Sequence, residues 1–137
     1  LIVVAGRDKV LEKKISSSDL KKDKSIRTFG FVDNLEEYMT VADLILTKAG
    51  GLTVSECLVK NLPMIFNNVI PIQEDDNVEY SEKNGVGVKV NNVKETVEII
   101  DRLFAHPDKI VKMKDNCKKI AKPNAAIELV DFVVSKI

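Results

Sequence analysis

The chain has 137 residues, the size of one domain, which is enough to bury a hydrophobic core. Its 21 basic and 21 acidic side chains cancel, and this balance argues against a dedicated nucleic-acid-binding surface. No apolar run reaches the roughly 18–20 residues of a membrane-spanning helix, and no signal peptide is visible. The spacing of Cys57 and Cys117 matches neither a metal site nor a redox motif, so we expect two buried or idle thiols. These features favour a single cytoplasmic domain.

The predicted elements begin at the first residue. Leu1–Ala5 is a continuous apolar run that ends at Gly6, and such runs are typical of strands covered on both faces. Because the sequence enters this strand without Met or a leading segment, we expect a fragment, or one half of a larger protein. In chain order, the predicted elements are strand Leu1–Ala5, helix Lys9–Lys22, strand Ile26–Val32, helix Asn34–Val41, strand Leu44–Thr47, helix Leu52–Lys60, strand Pro63–Phe66, helix Asn77–Lys83, strand Gly87–Val90, and helices Val93–Phe104, Asp108–Ala121 and Asn124–Ser135.

This alternation of strands and helices indicates βαβ units and a parallel sheet, with right-handed crossovers that place helices on both faces. The predicted fold class is therefore α/β, with three layers around one parallel sheet. We expect the first helix to be interrupted near Ser16–Ser18 and the fourth to stop at Asn84-Gly85. The lysine-rich stretch Lys109–Lys122 predicts a solvated helix face, with a membrane-facing basic patch as the alternative.

The segment "TKAGGLTVSE" (Thr47–Glu56) connects a predicted strand to a predicted helix. In an open α/β sheet, ligands bind outside the carboxyl ends of the strands, where this segment lies. Gly50 and Gly51 would let the backbone approach a ligand, and the helix start would favour a phosphate. Thr53 adds a hydroxyl, and the Glu56 carboxylate could accept hydrogen bonds from two ribose hydroxyls. The spacing suits a nucleotide.

The same ten residues have a structural interpretation. Thr53 and Glu56 also match a capping box, which would serve only to fix the start of the helix. The two glycines would then be turn residues. The segment is neither a Walker motif nor a G-x-G-x-x-G fingerprint, so the sequence leaves both interpretations open at this point.

A second polar loop, "PIQEDDNVEY", follows the next predicted strand and opens on the same edge of the sheet. Its amides and carboxylates are the groups needed to bind several sugar hydroxyls. Capping of the following helix would explain Asp75, Asp76 and Asn77 but not Gln73 and Glu74, which stand too early in the loop to cap a helix that starts at Asn77. The loop therefore favours a nucleotide-sugar site.

With these two loops, the sequence resembles the nucleotide-sugar half of two-Rossmann-domain (B-type) glycosyltransferases. "TKAGGLTVSECLVKNLPMIF" is similar to their donor-binding segment, and "PIQEDDNVEYSEKNGVGVKV" to the segment that follows it. The segment "VVAGRDKVLEKKI" has a single glycine after the first strand. In this feature it is most similar to monogalactosyldiacylglycerol synthases and processive diacylglycerol glucosyltransferases; peptidoglycan N-acetylglucosaminyl transferases are related. The resemblance implies one Rossmann-like three-layer domain over residues 1–137, the C-terminal half of such an enzyme.

The resemblance also implies roles for individual residues. Residues that would contact the diphosphate or lie beside it are Gly6, Arg7, Gly50, Gly51, Leu52 and Thr53, with Lys48 in the place of a phosphate-binding His of some members. Phe31 and Val32 would contact uracil, and Glu56 would bind the ribose. Gln73 and Glu74 would bind the sugar, and Asn77 would support these two residues. No metal or cofactor is implied, because the fold type usually needs none and no Asp-x-Asp metal motif is present.

The implied function is UDP-sugar binding within an inverting glycosyltransferase that transfers a hexose to a diacylglycerol-type lipid. The acceptor site and catalytic base belong to the N-terminal domain in such enzymes, and this chain shows no catalytic residue; His106 lies between helices. The full-length enzyme would be peripheral at the cytoplasmic face of a membrane. The alternatives are a stand-alone binding subunit that pairs with a membrane-bound acceptor subunit, a peptidoglycan-type UDP-N-acetylglucosamine transferase domain, and an α/β domain in which Thr53 and Glu56 only cap a helix.

Overall fold

A computed structural model of the chain describes residues 1–136, except for the side chains of Leu20 and Lys21. The described residues form five strands, β1 (Ile2–Val4), β2 (Arg27–Phe29), β3 (Ile45–Thr47), β4 (Met64–Phe66) and β5 (Gly87–Lys89). They also form seven α-helices, α1 (Lys9–Ser16), α2 (Leu35–Val41), α3 (Gly51–Val59), α4 (Asp75–Lys83), α5 (Val93–Ala105), α6 (Pro107–Ile120) and α7 (Ala125–Val134). Each predicted element is present, and the chain divides into two compact units, Leu1–Glu37 and Tyr38–Ile137.

The first unit contains the parallel pair β1–β2, in which Ile2 lies opposite Arg27 and Val4 opposite Phe29. The first helix ends at Ser16 and a 3-10 turn follows at Asp19–Lys22, which confirms the predicted interruption. The prediction that the first strand is covered on both faces is wrong for this unit, because Ile2 and Val4 are 42% and 36% exposed. A two-stranded sheet packed by one short helix has cover for at most one face.

The second unit contains a three-stranded parallel sheet in the order β3-β4-β5. The central strand β4 is buried throughout, and its side chains alternate between two cores. Met64 and Phe66 pack with residues of α3, α4 and α6, whereas Ile65 packs with residues of α5 and α6. Helices therefore cover both faces of this sheet, which confirms the predicted three-layer α/β arrangement.

The strands form two hydrogen-bonded sheets where we predicted one, although both sheets are parallel as expected. Hydrophobic periodicity identifies strands but does not determine which strands pair. Within the second unit, glycine makes the packing of β5 possible. A Cβ on Gly87 would stand 2.6 Å from Phe66 and 3.0 Å from Ser81 of α4, so a larger residue would separate the helix from the sheet. Gly85, at φ +64°, ends α4 as predicted.

The two cysteines are free and fully buried in the core between α3 and α6. Burial raises the pKa of the Cys57 thiol to about 12, with smaller contributions from Cys117 and Glu56, and raises the pKa of the Cys117 thiol to about 11. Both groups are therefore protonated at neutral pH, and the expectation of idle buried thiols is confirmed. His106 lies between α5 and α6, as predicted.

The lysine-rich helix α6 has acidic partners. Lys114 pairs with Asp43 at 2.7 Å, and Lys118 pairs with Asp115 at 3.0 Å, as expected for a solvated charged face. Within residues 1–136, we find no helix with the length and apolar content that a membrane crossing requires.

Candidate functional site

The segment Lys48–Gly51, called here the glycine loop, connects β3 to the start of α3 at the carboxyl end of the strand. Gly50 is the N-cap of the helix in an extended conformation, with φ −65° and ψ 137°, and its carbonyl accepts a 2.9 Å hydrogen bond from the Val54 N–H. The N–H groups of residues 51–53 precede this first helical bond and therefore have no partner within the helix. They form the positive end of the helix dipole, which can bind an anion.

Neither glycine of this loop is required by the fold. Both lie outside the positive-φ region that favours glycine. A Cβ on Gly50 would meet Thr53 Oγ1 at 3.9 Å, and a Cβ on Gly51 would meet Asn77 Nδ2 at 3.8 Å, with no other contact within 4 Å among the described residues. Neither backbone angle nor packing therefore requires glycine at these two positions. What the missing side chains provide is open space in front of the start of α3.

The capping-box interpretation is wrong. The cap of α3 is Gly50, which has no side chain to form a cap hydrogen bond. Thr53 is the third residue of the helix and Glu56 the sixth, so neither occupies the capping position. Glu56 is exposed, and no hydrogen bond or ion pair to its carboxylate or to the Thr53 hydroxyl is found in the described part of the chain. Both groups are free to bind a ligand.

The second loop is held by its own carboxylates. Glu74 is 7% exposed, and its Oε2 accepts a 2.9 Å hydrogen bond from the Ile70 N–H. Asp75 accepts a 2.8 Å hydrogen bond from the Ile72 N–H and lies 3.9 Å from Lys89 Nζ. One oxygen of Glu74 is therefore already used to shape the loop. Gln73 is exposed, and its amide has no partner among residues 1–136.

The start of α4 lies earlier than the sequence predicted. The helix begins at Asp75 rather than Asn77, and Glu74 occupies its N-cap position without a side-chain cap bond. The statement that Glu74 stands too early in the loop to cap is therefore wrong as to position. The carboxylates of Glu74 and Asp75 accept hydrogen bonds from the N–H groups of Ile70 and Ile72, and these bonds fix the residues at the start of the helix.

A side-chain hydrogen bond joins the two loops. Asn77 Nδ2 donates to the carbonyl of Ala49 at 2.8 Å, although the two residues are 28 positions apart. This bond brings the start of α4 against the glycine loop, so Gly51 and Asn77 are neighbours. The amide of Asn77 therefore holds the glycine loop, while its expected support of Gln73 and Glu74 stays a prediction.

The remaining predicted residues lie at the ends of β1 and β2 or beside the glycine loop. In the first unit, Gly6 adopts φ +60° and has open space around its Cβ position. The Arg7 guanidinium lies 4.7 Å from the ring centre of Phe31, which is 59% exposed. Phe31 and Val32 follow β2, which ends at Phe29, rather than forming its end as predicted. In the second unit, Lys48 is exposed.

A shallow cavity of about 160 Å³ lies at the carboxyl ends of β4 and β5. It is lined by Asn67, Asn68, Val90, Asn91, Asn92, Val93 and Thr96. The sequence reasoning did not identify these residues. The available signal is a pair of asparagines that begins within two residues of the end of each of two strands, at the edge where α/β ligands bind.

Comparison with known proteins identifies the family. Residues 1–131 match the sequence model of the glycosyltransferase family 28 C-terminal domain. The chain belongs to this family. Monogalactosyldiacylglycerol synthase 2 of Arabidopsis thaliana is 37% identical over 131 residues, which are 95% of this chain and 28% of that protein. A processive diacylglycerol beta-glucosyltransferase of Bacillus cereus is 29% identical over 136 residues, which are 99% of this chain and 35% of that protein.

Solved structures support the fold. The chain aligns with the crystal structure of Acinetobacter baumannii MurG at a TM-score of 0.76 and 23% identity, covering 99% of this chain and 40% of that one. A glycosyltransferase of kitacinnamycin aligns at a TM-score of 0.66 and 15% identity, covering 96% and 34%. The predicted Rossmann-like fold and the resemblance to glycolipid-forming glycosyltransferases are confirmed. The chain spans about a third of the length of the curated relatives described above.

Proposed function

We propose that this chain is the UDP-sugar-binding domain of an inverting glycosyltransferase that transfers a hexose to a diacylglycerol-type lipid. One observation carries the proposal. Gly50 and Gly51 stand at the start of α3 where neither backbone conformation nor packing requires glycine. A helix start without side chains leaves room for the diphosphate of a nucleotide-sugar, and the chain belongs to a glycosyltransferase family.

The proposed chemistry is displacement at the anomeric carbon by an acceptor hydroxyl, with UDP as the leaving group. The N–H groups at the start of α3 would stabilise the negative charge that develops on the diphosphate. The free carboxylate of Glu56 would bind the ribose hydroxyls, and the Gln73 amide would bind the sugar. In the first unit, Gly6 and Arg7 are proposed to bind phosphate, and Phe31 and Val32 to bind uracil. Lys48 would add positive charge near the phosphates.

The lipid acceptor and the general base are proposed to belong to a further domain of the full-length enzyme. Two relatives that act on or make diacylglycerol lipids, according to their names, are about three to four times as long as the match. Such an enzyme would work at the cytoplasmic face of a membrane without crossing it. The 137-residue chain alone would then bind a donor but transfer no sugar.

The test is a titration of the chain with UDP, UDP-glucose, UDP-galactose and UDP-N-acetylglucosamine, with ADP as the control for the base. We expect UDP binding with a dissociation constant on the order of 0.1–1 mM, because no second domain closes over the ligand. Equal affinity for ADP, or no binding of any uridine nucleotide, would contradict the proposal. Sugar transfer to diacylglycerol by the chain alone would contradict the assignment of the acceptor site to another domain.

A further inference from the structure

The hydrogen bond between Asn77 and Ala49 holds the peptide that leads into Gly50 and Gly51, the two residues of the glycine loop without side chains. Asn77 Nδ2 donates to the Ala49 carbonyl at 2.8 Å, and Ala49 is fully buried. This carbonyl belongs to the same peptide unit as the N–H of Gly50. Because a trans peptide is planar with its C=O and N–H pointing in opposite directions, fixing the oxygen also fixes the direction of the Gly50 N–H.

Gly50 and Gly51 need such a constraint. Glycine has the largest conformational freedom of any residue, and an ordered pair loses that freedom on folding. Side-chain contacts that would restrict the loop are missing, since neither Cβ position has a neighbour closer than 3.8 Å. Helix α4 is itself fixed to the sheet, because the Glu82 carboxylate accepts a 2.9 Å hydrogen bond from the Lys89 N–H of β5. Asn77 therefore connects a backbone segment that lacks side-chain contacts at Gly50 and Gly51 to a helix that is bonded to the sheet.

We infer that Asn77 is a positioning residue: by holding the Ala49–Gly50 peptide, its amide orients the Gly50 N–H and the start of α3, where the N–H groups of residues 51–53 would bind the diphosphate. This inference rests on the proposed function, because it assigns the glycine loop to the phosphates of a uridine nucleotide. Asn77 acts through the loop and does not itself touch the diphosphate. Because Asn77 stands in the first turn of α4, three residues after Glu74, the same bond fixes the spacing between the phosphate-binding and sugar-binding loops.

The test compares Asn77→Leu with a matched control, Asn84→Leu. Asn84 lies at the other end of α4, and its Nδ2 also donates to a backbone carbonyl, that of Tyr80, at 2.8 Å. Leucine keeps the shape of asparagine but cannot donate a hydrogen bond. The affinities for UDP and for uridine are measured by NMR titration of the full chain, together with the melting temperature of each variant.

We expect Asn77→Leu to lower UDP affinity about tenfold and to leave uridine affinity nearly unchanged, whereas Asn84→Leu leaves both unchanged. Loss of folded protein would reduce both ligands equally, so the ratio of UDP to uridine affinity separates positioning from stability. Asn77→Ser, which is too short to reach Ala49 but suits the first turn of a helix, serves as a second variant and should show the same ratio change.

Two results would overturn the inference in distinguishable ways. If the unaltered chain binds UDP and both Asn77 variants keep the wild-type ratio, Asn77 does not position the loop while the proposed function stands. If the unaltered chain binds no UDP, the proposed function fails first and the inference fails with it.

Discussion

Glycine serves two different purposes at single positions of this chain. Gly51 begins α3 with a helical backbone and room for a side chain, so the substitution Gly51→Ala meets no steric obstacle. Replacing glycine by alanine at a compatible helical position stabilises a protein by about 0.4–1 kcal/mol. We expect Gly51→Ala to raise the melting temperature and to lower UDP affinity several-fold, because the new methyl group occupies the space in front of the helix.

Gly85→Ala is the control for this prediction. Its backbone lies at φ +64°, and a Cβ would stand 3.0 Å from Asn116, so alanine should destabilise the fold by about 1–2 kcal/mol. UDP affinity of the folded fraction should not change. If Gly51→Ala behaved like Gly85→Ala, with lower stability and unchanged binding, Gly51 would be a structural glycine after all.

Glu56 can now be tested without the ambiguity of the capping box. Its carboxylate has no partner in the described chain, so Glu56→Gln should leave the melting temperature unchanged. A ribose-binding carboxylate forms charge-assisted hydrogen bonds, which contribute roughly 1.5–3 kcal/mol, and one arm of glutamine is a donor. UDP affinity should therefore fall about tenfold. Titration with 2′-deoxy-UDP provides the control: wild type should prefer UDP, and the variant should discriminate less. Equal discrimination by both proteins would remove Glu56 from the ribose site.

Within the loop that precedes α4, two neighbouring residues differ in how much they contribute to the fold. Gln73 is exposed and unbonded within the described residues, whereas Glu74 is buried and holds the Ile70 N–H. We expect Gln73→Ala to weaken UDP-sugar binding several-fold, with UDP affinity and the melting temperature unchanged. Glu74→Ala should lower the melting temperature as well, because it removes the acceptor of a buried loop hydrogen bond. Equal loss of UDP and UDP-sugar affinity in Gln73→Ala would place this residue at the nucleotide instead.

The sequence predicted the elements well and their junctions less well, for physical reasons that particular residues illustrate. Apolar runs such as Met64–Phe66 reveal a buried strand because local composition reports burial directly. The sequence does not predict the start of α4 at Asp75, because that start depends on the hydrogen bond from the Ile72 N–H to the Asp75 carboxylate. In an acidic loop, the same carboxylate could equally cap the following helix. The bond between Asn77 and Ala49 spans 28 positions, and no local pattern encodes such a contact.

In the chain as a whole, the difference between local sequence patterns and long-range contacts explains why the sequence of the glycine loop allows two interpretations. A turn glycine and a ligand-facing glycine have the same letters, and they differ only in φ and in what surrounds the Cβ position. Gly50 and Gly51 have allowed backbone angles and open surroundings, unlike Gly85 and Gly87. The exclusion of the capping box therefore required the folded chain, in which Gly50 is the cap of α3 and the start of α4 lies beside the glycine loop.

The buried thiols predict how the stability of the whole chain depends on pH. The pKa of Cys57 is raised to about 12 and that of Cys117 to about 11, from an ordinary value of 9.0. Above pH 9 the unfolded chain loses these protons while the folded chain keeps them, so the unfolded state binds fewer protons and stability falls as pH rises. The contribution is complete below pH 9 and is lost between pH 9 and about 12, with a slope of at most about 1.4 kcal/mol per pH unit per thiol.

Urea unfolding at pH 8, 9 and 10 measures this effect, with Cys57→Ala as the comparison. The variant should be less stable at every pH, because alanine leaves a small cavity in the core between α3 and α6. Its loss of stability between pH 8 and pH 10 should nevertheless be smaller than that of the wild type, since one titrating thiol has been removed. The comparison cancels the titration of lysines and tyrosines, which both proteins share. Parallel curves for the two proteins would show that the Cys57 thiol ionises as readily in the folded chain as in the unfolded one.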